Sequence, residues 1–161
     1  MVKYYDKDEI KESSSEKKIR VFLTIMYFIQ FLIMAGLPLM YGPVNDEGQY
    51  ATLTAVNLMI QPNGYNSINE LLVALYGVIL VIFPIVSFFF FLLDKKSKKK
   101  YVVSYITVIL SCIVICFSIG VKSLFIGGVL ALIVYCVILF MTTQGLQATR
   151  MREKESENTG K

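Results

Sequence analysis

The chain has 161 residues, of which 55% are apolar, and a formal net charge of +4 at pH 7. A mean hydropathy of +0.60 excludes an ordinary soluble domain, and the longest segment between apolar stretches, residues 41–70, is too short to bury a core of its own. Most basic residues stand beside apolar stretches, which argues against a nucleic-acid partner and for contact with anionic lipid head groups.

Four apolar stretches contain no Asp, Glu, Lys or Arg. Each is close to the roughly 20 residues that a helix needs to cross about 30 Å of hydrocarbon. The pattern predicts an all-α integral membrane protein that folds as a four-transmembrane-helix bundle, with spans at residues 21–40, 71–93, 101–119 and 124–141. The four spans form one predicted membrane domain, residues 21–149.

The basic residues also predict an orientation. The N-terminal segment 1–20, the connection between the second and third spans and the tail 150–161 hold nearly all of them, whereas the opposite side holds only Lys122. Because Lys and Arg are enriched in cytoplasmic loops, we expect both termini in the cytoplasm and residues 41–70 outside. This is the pattern of a multi-pass protein of the cell membrane.

The segments outside the spans are predicted to be less ordered. Residues 1–20 mix both signs of charge and favour a solvated, partly frayed terminus, with a short surface helix over residues 8–18 as the alternative. Residues 150–161 are charged without apolar periodicity and are predicted to be a disordered cytoplasmic tail. In the outside loop, residues 50–60 fit either an interfacial helix or an ordered loop with apolar anchors.

The connection between the second and third spans is polybasic. An orientation signal is sufficient to explain it, and contact with anionic lipid is an additional hypothesis. The candidate residues for this contact are Lys95, Lys96, Lys98, Lys99 and Lys100.

The third and fourth spans are predicted to form a tight antiparallel hairpin, because only residues 120–123 separate them. Small residues recur along both spans, every seven positions at Ser104, Ser111 and Ser118 and every four at Ser123, Gly127 and Ala131. Small residues allow close packing of helices in lipid, so we expect the two spans to meet through the second set. A lined solute path is the alternative interpretation of these small polar residues.

Three residues at similar depth form a candidate polar contact. Gln30 is the only amide inside a span, and counting along the helices places it level with Pro84 and Ser111. Pro84 has no backbone N–H, which frees the carbonyl of Leu80. We expect Gln30 to join the helices by hydrogen bonds to Ser111 or to this carbonyl, and a polar point in a substrate path is the alternative.

The sequence offers no catalytic or cofactor-binding constellation. It contains no His, no HExxH pattern, no glycine-rich phosphate loop and no pair of carboxylates inside a span. Its cysteines, Cys112, Cys116 and Cys136, lie inside spans and are interpreted as packing residues instead of metal ligands. A protein that is not an enzyme and holds no metal or cofactor is therefore expected.

These observations favour a membrane protein that acts by binding other proteins. We expect an accessory, assembly or scaffold subunit that contacts a membrane-protein partner, or a second copy of itself, through its helices. The alternative is a small-solute transporter or channel built from an oligomer of the four-helix unit. The absence of intramembrane charge is the weakness of that alternative.

Overall fold

The computed structural model describes residues 13–43, 50–60, 70–94, 97–116 and 124–159. Its elements in chain order are α1 (Ser14–Gly36), β1 (Met40–Pro43), β2 (Tyr50–Leu53), α2 (Ala55–Ile60), α3 (Glu70–Leu93), α4 (Lys99–Ile113) and α5 (Ile126–Thr159). Within these ranges four helices, α1, α3, α4 and α5, are long and apolar enough to cross a membrane. The prediction of a mostly helical chain with four such helices is confirmed.

Helices α1, α3 and α5 each bury a narrow stripe whose members alternate three and four positions apart, and α4 buries a wider one that contains Lys100, Tyr101, Ser104, Thr107, Val108 and Ser111. The stripe of α1 is Glu16, Arg20, Leu23, Tyr27, Gln30 and Met34, and that of α3 is Val73, Gly77, Leu80, Pro84, Ser87 and Phe91. The stripe of α5 is Gly128, Ala131, Tyr135, Ile138, Thr142, Gly145 and Thr149. A repeat of 3.5 residues keeps one side of a helix against its neighbours. Accordingly, α1 and α4 each pack against both α3 and α5.

Helix α1 begins before the first predicted span. The Glu16 carboxylate accepts a hydrogen bond from the backbone N–H of Ser13 at 2.8 Å, which stabilises the first turn. The expectation of a frayed terminus is therefore wrong for residues 14–20, whereas residues 1–12 lie outside the described part. The helix ends at Gly36, before extended Leu37, so residues 37–40 of the predicted span 21–40 are not helical; Pro38 has no backbone N–H with which to continue the helix.

The segment that follows α1, residues 37–39, is hydrogen-bonded through its backbone to the start of α5. The N–H of Phe125 donates to Leu39 at 2.8 Å and that of Gly127 to Pro38 at 3.0 Å. The N–H of Leu39 donates to Leu53 at 2.7 Å, which extends the antiparallel pairing of β1 with β2. No strand is predicted here from the sequence. Because Leu39 is fully buried, its backbone groups need partners, and the hairpin and α5 supply them.

The second half of the 50–60 segment forms α2, so the helical interpretation is right for residues 55–60 and wrong for strand residues 50–53. Ala55 and Leu58 are buried. A Cβ atom at Gly77 would collide with the backbone of Met59. Only glycine therefore permits this approach of α2 to α3.

Helices α4 and α5 run in opposite directions, because Ser104 bonds to Thr142 at 2.7 Å and Gly145, later in α5, lies against Tyr101, earlier in α4. Tyr105 and Thr143 form a second hydroxyl pair between them at 2.9 Å. Residues 117–123, which include Ser118 and Ser123, lie outside the described part of the chain. α4 follows the predicted third span from Lys99 to Ile113 and then widens into a π-helical turn at residues 114–116.

Two predictions concern α5. A Cβ atom at Gly127 would lie 2.5 Å from the carbonyl oxygen of Pro38 and 3.0 Å from Leu37, so Gly127 packs against the segment after α1. The end of the third span, residues 117–119, lies outside the described residues, so the contact of Gly127 with that span stays a prediction. The helix also continues to Thr159, so the prediction of disorder is wrong for residues 150–159. Side-chain bonds from Arg152 and Glu153 to other helices hold this part in place.

Candidate functional site

Six polar residues of the long helices lie on the buried stripes. α1 contributes Tyr27 and Gln30, α4 contributes Ser104 and Ser111, and α5 contributes Tyr135 and Thr142; none of the six side chains has exposed surface. A spacing of three residues in α1 and of seven in α4 and α5 places each pair on one side of its helix. The six polar side chains therefore lie in the interior because they occupy positions of the buried stripes.

The first layer of this interior is a chain of hydroxyl groups. The Tyr27 hydroxyl and Ser104 Oγ lie 2.6 Å apart, and Ser104 Oγ and Thr142 Oγ1 lie 2.7 Å apart. Beside them, Ser87 Oγ and Thr107 Oγ1 are paired at 2.7 Å. The first three residues hydrogen-bond α1, α4 and α5 to one another, and the pair joins α3 to α4.

The second layer is formed by Gln30, Ser111 and Tyr135. The Ser111 hydroxyl and the Gln30 amide both lie beside the hydroxyl of Tyr135, so the three groups are neighbours. None of their side-chain polar atoms has a hydrogen-bond partner with good geometry among the described residues. An unsatisfied buried polar group costs about 1–3 kcal/mol, so this layer is unusual for a packed interior.

The structure brings together two of the three residues predicted to form the mid-depth contact. Gln30 and Ser111 meet around Tyr135, a residue not predicted to take part although it is the only hydroxyl within the predicted span 124–141. Pro84 lies buried on the α3 stripe. The Gln30 amide donates to no described acceptor, so the predicted bond to the Leu80 carbonyl is absent.

A cluster of charged side chains, not predicted from the sequence, joins the start of α1 to the last turns of α5. Arg152 Nη1 lies 2.9 Å from Glu16 Oε2, and the Glu16 side chain is only 3% exposed. Arg20 Nη1 donates to the backbone carbonyl of Phe91 at 3.2 Å. Lys98, the residue before α4, and Glu153 of α5 form a second ion pair nearby. The Ser-x-x-Glu pattern at residues 13–16 was the available signal for the start of this cluster.

Two of the five candidate lipid-binding lysines are engaged within the chain. Lys100 is only 3% exposed, and its Nζ donates to the Asp94 carbonyl at 3.0 Å and lies 5.4 Å from the centre of the Tyr101 ring. Lys98 is paired with Glu153. Lys100 is therefore buried away from the predicted head-group contact, whereas for Lys98, whose side chain is 41% exposed, this contact stays a prediction. Lys99 is exposed, whereas Lys95 and Lys96 lie outside the described residues.

The chemistry of the interior is that of neutral hydrogen-bonding groups. Hydroxyls and one amide can donate to and accept from an uncharged molecule, but they supply no charge for ion coupling. Cys112 and Cys116 are partly buried and Cys136 is exposed, and no group of potential ligands suited to a metal ion occurs in the described part of the chain.

Comparison with protein families, curated proteins and solved structures gives no match to this chain.

Proposed function

We propose that this chain is a four-pass membrane protein with both termini in the cytoplasm, acting as a non-enzymatic accessory, assembly or scaffold subunit through contacts between helices. The observation that supports it best is the distribution of polarity across the helices. The polar residues of the two layers are fully buried, whereas large apolar side chains such as Ile25, Leu75, Ile109 and Ile133 are about half exposed. An apolar outer surface suits lipid and the apolar helices of a partner.

The charged cluster supports the proposed orientation. It gathers the start of α1, the connection between α3 and α4 and the last turns of α5, which are the parts that the Lys and Arg distribution assigns to the cytoplasm. Charged groups are stable where water and lipid head groups are near. The exposed Lys99, with Lys95 and Lys96 of the same connection, is the proposed contact with anionic lipid.

The length of α5 gives the proposed subunit a cytoplasmic surface. Its 34 residues correspond to about 50 Å of helix at 1.5 Å per residue. Hydrocarbon accounts for about 30 Å of that length. The remainder carries exposed Arg150, Met151 and Lys154, a surface on which a partner can dock outside the membrane.

Crosslinking in the membrane tests the proposal. A photoreactive residue is placed in turn at lipid-facing Ile25, Leu75, Ile109 and Ile133, and at buried Leu23 as the matched control. We expect one face to give a discrete product with a second protein, or with another copy, and that product to co-purify stoichiometrically in mild detergent. A chain that crosslinks only to lipid from every face and purifies as a monomer contradicts the proposal.

A transporter or channel remains the second candidate, because the Gln30–Ser111–Tyr135 layer leaves polar atoms unpaired within the described interior. Its test is solute or ion flux through vesicles that contain the purified chain. If this layer lines a path, Gln30→Leu abolishes flux and leaves partner crosslinking unchanged. If the subunit proposal is correct, the chain alone conducts nothing, and Gln30→Leu changes only stability.

A further inference from the structure

The Gln30–Ser111–Tyr135 layer has the properties of a binding site for a very small molecule. Its residues belong to three helices, and no side chain among them has exposed surface. Four atoms, Gln30 Oε1, Gln30 Nε2, Ser111 Oγ and the Tyr135 hydroxyl oxygen, lack a hydrogen-bond partner in the described part of the chain. In a low-dielectric interior each such atom is destabilising unless it is satisfied.

The neighbouring layer shows that these helices can pair hydroxyls directly. Two helical turns away along α4 and α5, Ser104 and Thr142 bond to each other at 2.7 Å, and Tyr27 of α1 bonds to Ser104 at 2.6 Å. Ser111 and Tyr135 occupy the equivalent positions seven residues along the same stripes. The second layer differs because its groups face one another without completing bonds of that quality.

Direct bonding among these three side chains cannot satisfy all of them. If the Tyr135 hydroxyl donates to the Gln30 carbonyl, the Ser111 hydroxyl to Tyr135 and the Gln30 amide to Ser111, one N–H of that amide is still unpaired. A molecule that accepts a hydrogen bond from this N–H is needed to complete the set. It must be uncharged, because a charge there would be desolvated without a counter-charge in these three residues.

We propose that Gln30, Ser111 and Tyr135 bind one water molecule that bridges α1, α4 and α5. Water donates two hydrogen bonds and accepts two, and buried waters typically make about three to groups that are otherwise unsatisfied. The bound water accepts from the Gln30 amide, donates to the Gln30 carbonyl oxygen or to a hydroxyl, and completes the hydrogen bonding of the layer. This site exists whether or not the subunit proposal holds.

A density map of the full-length chain in lipid nanodiscs, at a resolution that shows ordered water, tests the site directly. We expect a peak of one water molecule within hydrogen-bonding distance of at least three of the four atoms. A map in which the side chains bond to one another with no such peak overturns the proposal. Density for a larger molecule at the same place also overturns it.

Two isosteric variants provide the second test. Tyr135→Phe deletes a hydroxyl that binds the proposed water, and Tyr27→Phe, the matched control, deletes one that bonds directly to Ser104. We expect both to lower the midpoint of thermal unfolding, and the water peak to weaken in Tyr135→Phe alone. If Tyr135→Phe unfolds at an unchanged or higher temperature while Tyr27→Phe unfolds at a lower one, the Tyr135 hydroxyl had no partner to lose, and the proposal is wrong.

Discussion

Individual polar residues in this chain occupy stripe positions that an amphipathic pattern would reserve for apolar side chains. Gln30, Ser104 and Tyr135 have no exposed surface, although most other residues of their helices are apolar. In lipid, an inward hydroxyl or amide can bond to another helix, whereas an outward one faces hydrocarbon. Polar residues therefore mark the interior here, the reverse of their use in a soluble protein.

The Glu16–Arg152 ion pair gives the first prediction. Arg152→Gln leaves the Glu16 carboxylate, which is 3% exposed, without its counter-charge. Removing one partner of a buried pair costs about 3 kcal/mol. We expect a loss of about this size in unfolding by SDS. The control is Glu153→Gln, which breaks a pair whose side chains are 41% and 40% exposed and is expected to cost at most about 1 kcal/mol. Equal losses in the two variants would contradict this account.

The hydroxyl chain gives the second prediction. Ser104 Oγ is bonded to both Tyr27 and Thr142, so Ser104→Ala removes two contacts, although the Tyr27 hydroxyl keeps its 3.3 Å bond to the backbone carbonyl of residue 104. We expect it to lower the free energy of unfolding by about 1–2 kcal/mol, and Thr142→Val, which removes one contact, by about half as much. The measurement is unfolding in SDS, and the reverse order of the two losses would be inconsistent with a chain centred on Ser104.

At the scale of elements, the packing of the helix ends depends on glycine. The backbone of α2 contacts α3 at Gly77, and the segment after α1 contacts α5 at Gly127. Both contacts are at the end of the molecule where the hairpin of β1 and β2 lies. The contact of Gly127 with the segment after α1 was not predicted from the small-residue spacing.

The third prediction concerns these contacts. Gly127→Ala places a Cβ atom 2.5 Å from the Pro38 carbonyl oxygen, so the backbone must shift, at a cost of about 1–3 kcal/mol. Gly36→Ala is the matched control, because a Cβ atom there would have no neighbour within 4 Å. We expect a lower midpoint of thermal unfolding for the first variant. For the second, we expect the free energy of unfolding to change by at most about 0.5 kcal/mol. A Gly127→Ala chain as stable as Gly36→Ala would rule out this close contact.

For the whole molecule, four long helices enclose two polar layers, and a charged cluster lies at one end. Each long helix contacts two others, so removing any one of them exposes polar groups of its neighbours to hydrocarbon. The layers and the cluster together connect all four long helices by hydrogen bonds or ion pairs. The molecule should therefore assemble as one unit.

The fourth prediction is the orientation. Single cysteines at Asn63→Cys and Ser97→Cys are introduced into a chain whose Cys112, Cys116 and Cys136 are replaced by alanine, and intact cells are treated with an impermeant thiol reagent. Because Lys and Arg concentrate on the side of Ser97, we expect labelling at position 63 alone. Lysed cells, in which both positions should react, are the control. Labelling at position 97 alone in intact cells would reverse the proposed topology.

The sequence by itself determined the number of helices that are long and apolar enough to cross a membrane, because that number depends on local composition: apolar runs of span length without charge. The end of the first helix was predicted less well, because the apolar run continues to residue 40 whereas α1 ends at Gly36. Counting along helices predicted that Gln30 and Ser111 lie at a similar level, and both are fully buried. The tertiary structure decided which polar groups meet. The pairing of Glu16 with Arg152 and the approach of Tyr135 to Gln30 join residues more than 100 positions apart, and helix periodicity within one segment contains no information about such a distance.

The same reason explains the errors at both ends of the chain. Residues 14–20 and 150–159 have the composition of solvated termini, yet they are helical because Glu16, Arg20, Arg152 and Glu153 find partners on other elements. Likewise, Gly127 has the spacing of a helix-packing residue, but the chain direction after Pro38 determines what it contacts. Composition determines which segments form long apolar helices, and packing among these helices determines which polar side chains meet.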